Sequence, residues 1–388
     1  MRRNVLGAAL AVILTGTNCS SALAQPAVAA LPHWSAESLA VLHHRLESAP
    51  LEALPVPDCT ALAAAERAGD GAVIDREASA VAVKMARLIA LGWMPAEARA
   101  AWHIADSDAR IDFAGQLATA LGAGTLDAWF SSLEPRRPDY AALRTAYAAE
   151  TDPARRQTLA RNLERWRWMP HDPGAEYLLV NAAAFRVDLW RDGRVADSHR
   201  VIVGKVSSPT PVFGATVSGV TFNPWWDIPA NIVRESVGRL VARHPKLARQ
   251  RGYVWGGGRY RQRPGPGNSL GLMKLIMPNS YNVYLHDTPS KSLFERPVRT
   301  FSHGCVRVDD ALGLAADLLA PTTPREEIDG IVASGRTTDV RLGRNVPIYI
   351  AYFTAEATPD GTVTVLPDVY NRDGAMGDAA VVQRLCAF

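Results

Sequence analysis

The sequence predicts an α+β protein, with an N-terminal all-α portion, a mainly β portion after it, and a helix-and-loop insertion inside the β portion. Three observations carry this. From about Asp75 to Arg161 alanine is abundant, and apolar residues (Val81, Met85, Leu88, Ile89) recur at three- and four-residue steps, the period of an amphipathic helix. Near Trp166 the pattern changes to alternation, clearest in Phe185-Arg-Val-Asp-Leu-Trp190, the period of a half-buried strand. Between Ile228 and Asn279 strand character then lapses for about fifty residues.

Residues 25–57 form a Pro- and Ala-bearing entry segment. The helical pattern breaks at Met94-Pro95, Gly122 to Gly124 and Pro135 to Pro138, which predicts a bundle of short helices. Trp93, Trp102 and Trp129 read as its core. In the β portion, strands are expected at Tyr177–Asn181, Phe185–Trp190, Val195–Val203, Val212–Thr221, Val283–His286, Arg299–Ser302 and Val346–Phe353. Turns fall at Asp192-Gly193 and Pro359-Asp360-Gly361. Helices are expected only at Ile232–Leu247 and Asp309–Leu319. The insertion holds the stretch from Trp255 to Gly267, rich in Gly, Pro and Arg. It is too long for an ordinary connection and reads as a lid.

The first residues stand apart. Arg2 and Arg3, an apolar run from Val5 to Gly16 and Ala22-Leu23-Ala24 have the form of a secretory signal peptide, cleaved after position 24. A lipoprotein site at Cys19 is the alternative, although Gly16-Thr17-Asn18 is a poor lipobox. The formal charge of the chain is +3; without Arg2 and Arg3 it falls to +1, which gives no support for nucleic-acid binding. No second apolar run would span a membrane. The mature chain keeps Cys59, Cys305 and Cys386, an odd number that points to a free thiol or an interchain pair.

The chemistry concentrates in Tyr284-Leu-His286 and Phe301-Ser302-His303-Gly304-Cys305-Val306-Arg307. A nucleophilic thiol needs a base, a sharp exposed turn and N–H donors facing the developing oxyanion. Cys305 supplies sulfur, His286 or His303 an imidazole, and Gly304 close backbone approach. His303 shares one strand with Cys305 and is fixed by the same backbone. His286, on another segment, can be oriented independently and is the preferred base, which leaves His303 to shape the turn. The helix starting near Asp309 could aid a thiolate through its dipole. A zinc site from His286, His303 and Cys305 lacks a fourth ligand and any paired ligand spacing.

At these residues the chain resembles the YkuD-type L,D-transpeptidases of bacterial cell-wall synthesis, whose pattern is a histidine followed downstream by Ser/Thr-His-Gly-Cys-x-Arg/Asn. Asn162 to Pro170, Pro209-Thr-Pro211, Asn223-Pro-Trp225, Pro264 to Asn268 and Leu285 to Phe294 are similar to the larger, YcbB-type branch. The helical portion, around Trp102-His-Ile104 and Leu133-Glu-Pro135, is similar to that branch's scaffold domain. Members commonly insert a peptidoglycan-binding module between scaffold and catalytic domain, but here Tyr147 and Arg161 are too close in sequence to hold one.

The resemblance implies a scaffold domain over 25–161, a sandwich- or barrel-like catalytic domain over 162–345 with a capping lid at 228–279, and C-terminal strands and tail over 346–388. It implies Cys305 as nucleophile and His286 as base, with His303 and Gly304 walling the oxyanion site and backbone N–H groups near Gly304 and Cys305 as donors. Arg307, Ser302, Tyr284, Trp225, Asn223 and Arg259 are the expected substrate contacts, and the lid arginines Arg259, Arg261 and Arg263 either meet stem carboxylates or are solvated. The implied reaction moves the acyl group of the third residue of a peptidoglycan stem onto Cys305, releases D-alanine and passes the acyl group to an amine of a second stem. This yields 3-3 or 1-3 links. Water as acceptor would make the enzyme a carboxypeptidase; hydrolysis of cross-links and a non-catalytic wall-binding scaffold are the other readings. No cofactor or metal is expected. The expected partners are donor and acceptor stems, with carbapenem β-lactams as covalent inhibitors, for a periplasmic monomer. If Cys305 stays free, Cys59 and Cys386 remain to form a disulfide.

Overall fold

A computed structural model describes residues 32–104, 111–320, 322–358 and 361–377. The expected leader, Cys19, Cys386 and the Pro359-Asp360 half of one turn lie outside the described residues.

The N-terminal half is helical. The entry segment holds a helix over Ala36–Ser48, started by Ser35, whose hydroxyl accepts the Ser38 N–H at 3.1 Å. Leu42 and Leu46 bury one of its faces, and that packing outweighs the weak local signal. The longest helix, Gly71–Leu91, is capped by Asp70 and buries Ala78, Val81, Ala82, Met85, Ala86 and Ile89, the spacing read from the sequence. Shorter helices follow at Phe113–Ala123, Leu126–Ser132, Pro138–Ala149 and Pro153–Arg167. Trp129 is buried in the bundle core; Trp93 and Trp102 are half-buried against core residues. The bundle lends the barrel a short strand, β1 (Trp102–His103), parallel to Val212-Phe213.

After the Pro153–Arg167 helix, which crosses position 162, come β2 (Glu176–Asn181), β3 (Arg186–Arg191), β4 (Arg194–Gly204) and β5 (Val212–Phe222). β6 (Trp226–Asp227) lies just before the insertion, which holds β7 (Tyr253–Gly256) and β8 (Arg259–Gln262); the expected bounds 228–279 reach too far, because residues 273–276 pair with β5 as a barrel strand. Then follow β9 (Met273–Ile276), β10 (Leu285–His286), β11 (Thr300–Ser302), β12 (Val306–Val308), β13 (Thr338–Ala351) and a hairpin of β14 (Ala355–Ala357) and β15 (Val363–Val365). The order β5-β13-β2-β3-β4-β12-β10-β9, with β9 pairing back onto β5, closes the sheet into a barrel. Asp192 and Gly193, both at positive φ, make the expected tight turn between β3 and β4. Because β13 runs through position 345, the residues just beyond it continue the barrel wall.

Three expectations need correcting. The insertion carries a hairpin of β7 and β8, turned at Gly257-Gly258 at φ +60° and +77°, which β6 just before it extends to a three-stranded antiparallel sheet, β6-β8-β7. Its helix is broken, not continuous: a π-type turn occupies Val233–Val237, and His244 leaves helical geometry before Pro245, as a residue preceding proline tends to. A further helix, Arg325–Ala333, lies between the Ala311–Leu319 helix and β13; its polar run Arg325-Glu-Glu-Ile-Asp masks a single buried anchor, Ile328.

Hydrophobic contacts join the bundle to the barrel. Tyr140, Leu143, Tyr147, Leu159 and Leu163 from the helices share a core with the barrel strands. A separate cluster of Trp226, Ile228, Val237 and Leu270 underlies the insertion and reaches Tyr284. No helix among the described residues is long and apolar enough to cross a membrane.

Candidate active site

The site is set by strand register. Strands β10 and β12 run parallel with Leu285 opposite Val306 and His286 opposite Arg307. Leu285 and Val306 are fully buried in the barrel. Side chains alternate along a strand, so Tyr284, His286, Cys305 and Arg307 all face the other way, toward the insertion. Lys274 on β9 stands opposite His286 and lies 5.4 Å from the Tyr284 ring centre. The structure therefore brings together four of the expected residues, His286, Cys305, Arg307 and Tyr284, and adds Lys274. A charged residue inside the alternating Met273-Lys-Leu-Ile276 was the available signal for it.

His286 is buried, and its Nδ1 lies 2.5 Å from the Asp287 carbonyl oxygen. A carbonyl only accepts, so Nδ1 carries the hydrogen and Nε2 keeps its lone pair. Burial, then the nearby Arg307 cation, push the His286 pKa down to about 3, against the opposing Asp287 bond. The imidazole is therefore neutral near pH 7 and suited to accept a proton. Burial likewise raises the Cys305 thiol, and the Tyr284 N–H, Arg307 and Lys274 oppose that rise without cancelling it. The thiol hydrogen points to the Asn282 carbonyl, with sulfur and oxygen 3.8 Å apart. At rest the site thus holds a thiol and a neutral imidazole on one face.

The expected thiolate support from the helix after Asp309 is absent. The Ala311–Leu319 helix begins beyond the whole of β12, and Asp310 caps it by accepting the Gly313 N–H. A helix dipole acts mainly within its first turn, and here that turn faces a carboxylate.

The turn Ser302–Cys305 is held from within. Gly304 sits at φ +116°, a conformation open to glycine. Its N–H donates to the Ser302 hydroxyl at 3.0 Å, and its carbonyl accepts from Thr210 Oγ1 at 2.8 Å. The Ser302 hydroxyl in turn donates to the Cys305 carbonyl at 2.5 Å. Ser302 is thus a turn brace, not a substrate contact, and the Gly304 N–H is spent on it. Of the two expected donors, the Cys305 N–H alone has no partner among the described residues.

Other expected contacts also move. Asn223 is buried, and its amide donates to the carbonyls of Ile331, Val332 and Arg336; it ties off the Arg325–Ala333 helix and does not face the site. Trp225 is covered by Arg261, whose guanidinium lies 4.7 Å from its ring centre. Arg261 and Arg259 both lean on Asp227, at 2.5 and 3.7 Å. These two lid arginines are already partnered by Asp227 at the lid's edge. His303 points at the insertion, with Nε2 2.7 Å from Glu235 and 3.2 Å from Lys205 Nζ. Glu235 and Lys205 were missed because nothing local in the sequence links them to position 303.

Beside Tyr284 a cleft of about 520 Å³ opens, lined by Lys274, Asn279, Asn282, Asp339 and Arg341 among others. Asp339 accepts from Thr221 Oγ1 at 2.7 Å. The cleft offers two cations and one carboxylate; Cys305 and His286 do not line it, and Lys274, opposite His286, and Asn282, whose carbonyl faces Cys305, connect it to them. Cys305 is the free cysteine of the described residues, and Cys59 is disulfide-bonded. Its expected partner Cys386 lies outside the described residues.

A family model described as the YkuD L,D-transpeptidase catalytic domain matches residues 175–348, and one described as a scaffold domain matches residues 29–146. Among curated proteins, the chain is 32% identical over 238 residues to a Haemophilus influenzae protein named "Putative L,D-transpeptidase", covering 56% of this chain and 48% of that protein. The chain thus spans about half the length of the curated relative it matches. Among solved structures it is similar to an L,D-transpeptidase from Mycobacterium smegmatis at 15% identity and TM-score 0.27, covering 46% of this chain and 58% of that one. It is also similar to L,D-transpeptidase 3 from Mycobacterium tuberculosis at 16% identity and TM-score 0.25, covering 46% and 61%.

Proposed function

Because residues 175–348 form an L,D-transpeptidase catalytic domain of the YkuD family, preceded by a scaffold domain, we propose that this chain cross-links peptidoglycan stems by acyl transfer through Cys305. The observation that carries the reading is the shared face of His286 and Cys305, with His286 Nδ1 committed to Asp287 and Nε2 left as the base.

The steps follow from the resting state. As the Cys305 sulfur attacks the carbonyl of the third stem residue, His286 Nε2 takes the thiol proton. The Cys305 N–H faces the developing oxyanion. The protonated imidazole then gives its proton to the leaving amine of D-alanine, and a thioester remains. An amine of a second stem attacks the thioester, His286 removes the surplus proton, and the thiol is restored. The positive charge of Arg307 destabilises imidazolium and stabilises thiolate, so it favours proton return to the product amine.

The cleft beside Tyr284 supports an amine acceptor over water. Lys274 and Arg341 suit a carboxylate, and Asp339 suits an ammonium, the two charges of a free amino-acid centre. Diaminopimelate bears such a centre, which favours a 3-3 link. The leader read at residues 1–24 supports work in the periplasm. The same thiol would open the ring of a carbapenem.

Incubation with purified tetrapeptide muropeptides, followed by tandem mass spectrometry, tests the reading. It predicts cross-linked dimers that have lost one D-alanine. Tripeptide monomers alone would replace transfer by carboxypeptidase activity, and loss of pre-formed dimers would replace it by hydrolysis.

A further inference from the structure

A second cluster of chemically able side chains lies on the barrel wall, apart from the thiol site. Asp197 and His199 are two residues apart on β4 and so point to the same face; their partners on β3 are Leu189 and Val187. The Ala311–Leu319 helix carries Asp317 against that face. One potential ligand atom from each of Asp197, His199 and Asp317 lies within 4.8 Å of the others.

The arrangement is costly as it stands. His199 is 8% exposed, and its Nε2 is buried without a hydrogen bond. That nitrogen points into the cluster, 2.5 Å from Asp197 Oδ2, an ion-pair distance. Asp197 and Asp317 each bring a carboxylate oxygen into the same cluster, within 4.8 Å of one another. Two carboxylates in contact need a proton or a cation between them. Arg191 is the nearby cation, yet it donates to Glu176 at 2.7 Å and to the Asp317 main-chain carbonyl at 2.7 Å, not to either cluster carboxylate. Ser198 N–H meets Asp197 Oδ1 at 2.8 Å, which leaves Oδ2 turned toward the imidazole.

We propose that Asp197, His199 and Asp317 form a binding site for a divalent transition-metal cation of the zinc class, which pins β4 to the Ala311–Leu319 helix. One imidazole nitrogen with two carboxylate oxygens is a set that zinc accepts, with water completing a tetrahedron. Calcium and magnesium favour all-oxygen sets and fit less well. The role is structural: β4 pairs with β12 and β11, the strands flanking the Ser302–Cys305 turn. A metal here stiffens the wall that carries the nucleophile and takes no part in the reaction.

The test uses the full chain with Cys305→Ser, so that the catalytic thiol cannot hold the metal. After chelation and dialysis it is titrated calorimetrically with zinc chloride up to about 0.1 mM, and the melting temperature is followed in parallel. The expected result is one ion per chain, a melting temperature that rises with zinc, and binding weakened about tenfold or more by Asp317→Asn and by His199→Gln. No binding by the parent, or equal binding by a folded variant, overturns the site. Should one substitution prevent folding, the other is read alone, against the same criterion.

Discussion

Glu235 of the capping insertion places one carboxylate oxygen 2.7 Å from His303 Nε2 and the other 2.8 Å from Lys205 Nζ. The insertion is thus latched to the residue two positions before Cys305. The pairing with Lys205 first, then with His303, holds the Glu235 carboxyl below its ordinary range. A carboxyl lowered in the folded state contributes above its unfolded pKa and loses that contribution as pH falls through the folded value. The ion pair is exposed and so modest. Glu235→Gln should raise KM for the stem substrate up to about fivefold with kcat little changed. It should also speed tryptic cleavage in the insertion, at Arg239 or Arg243. An equal fall in kcat with KM unchanged would show that Glu235 acts on the chemistry and not on the lid.

The Cys305 and His286 assignments predict unequal losses. Cys305→Ala should remove cross-linking altogether, and also the covalent mass gain on incubation with a carbapenem. His286→Ala should lower kcat by about 10²- to 10⁴-fold, the usual contribution of a general base. A Cys305→Ala protein that still forms dimers would end the cysteine mechanism.

Much of this site could be read from the sequence because its components are local or periodic. Ser302 to Arg307 is one turn, and the alternation around Leu285 already separates Tyr284 and His286 from the core face. What was misread depends on residues far apart in the chain. Asn223 looked like a site residue until three carbonyls from positions 331–336 claimed its amide. The Gly304 N–H looked like an oxyanion donor until Ser302 took it. The β7–β8 hairpin hid in the Gly/Arg-rich stretch because it pairs with only the two-residue strand β6 and buries little. Arginine and glycine pattern gives no warning of such a strand. Polar commitments of this kind are set by tertiary neighbours, which no periodicity encodes.

The neutral thiol–imidazole pair predicts an unusual pH profile. An ordinary histidine base would lose activity as pH falls through about 6.5. With the His286 pKa near 3, kcat/KM should stay flat well below that, and its alkaline change should reflect the raised Cys305 thiol. The linkage has a definite sign. Between about 3 and 6.5 the unfolded chain binds the proton that the folded imidazole refuses, so folding stability falls as pH drops through this window. The slope is at most about 1.4 kcal/mol per pH unit, and His286→Gln should flatten it. An acid limb of kcat/KM at pH 6 to 7 that moves with His286 would show that the imidazole is not held neutral.

The cysteine inventory gives a chemical test of the bridge. Cys59 is disulfide-bonded and Cys305 is free, and Cys386 is the proposed partner of Cys59. Under denaturing, non-reducing conditions the mature chain should show one reactive thiol. Digestion should yield a peptide that joins Cys59 to Cys386. Closing so long a loop stabilises by up to about 5–6 kcal/mol in the chain-entropy model, so reduction should lower the melting temperature. Three thiols, or a peptide joining Cys59 to Cys19, would refute the pairing; the second would also show that the leader is retained.

Glu164 ties the end of the Pro153–Arg167 helix to the chain just after the long Gly71–Leu91 helix. One of its oxygens accepts the N–H groups of Trp93 and Met94 at 2.7 and 2.8 Å, and the other lies 3.3 Å from Arg167 Nη1. Arg167 continues the network to the Glu52 carbonyl at 2.6 Å and the Tyr140 hydroxyl at 3.0 Å. Both charged side chains are out of contact with water, at 1% and 0% exposure. Gly92, at φ +77°, lets the carboxylate in: a Cβ there would stand 2.3 Å from Glu164 Oε1. Removing one partner of a buried pair leaves the other charge uncompensated, so Glu164→Ala should cost about 3–5 kcal/mol in chemical denaturation. Glu164→Gln keeps one accepting oxygen for Trp93 and Met94, and should cost less. Gly92→Ala should also destabilise, but much less so in a Glu164→Ala background, because the clash and the carboxylate are lost together. Additive costs for that pair would mean that Gly92 is required for its backbone conformation alone.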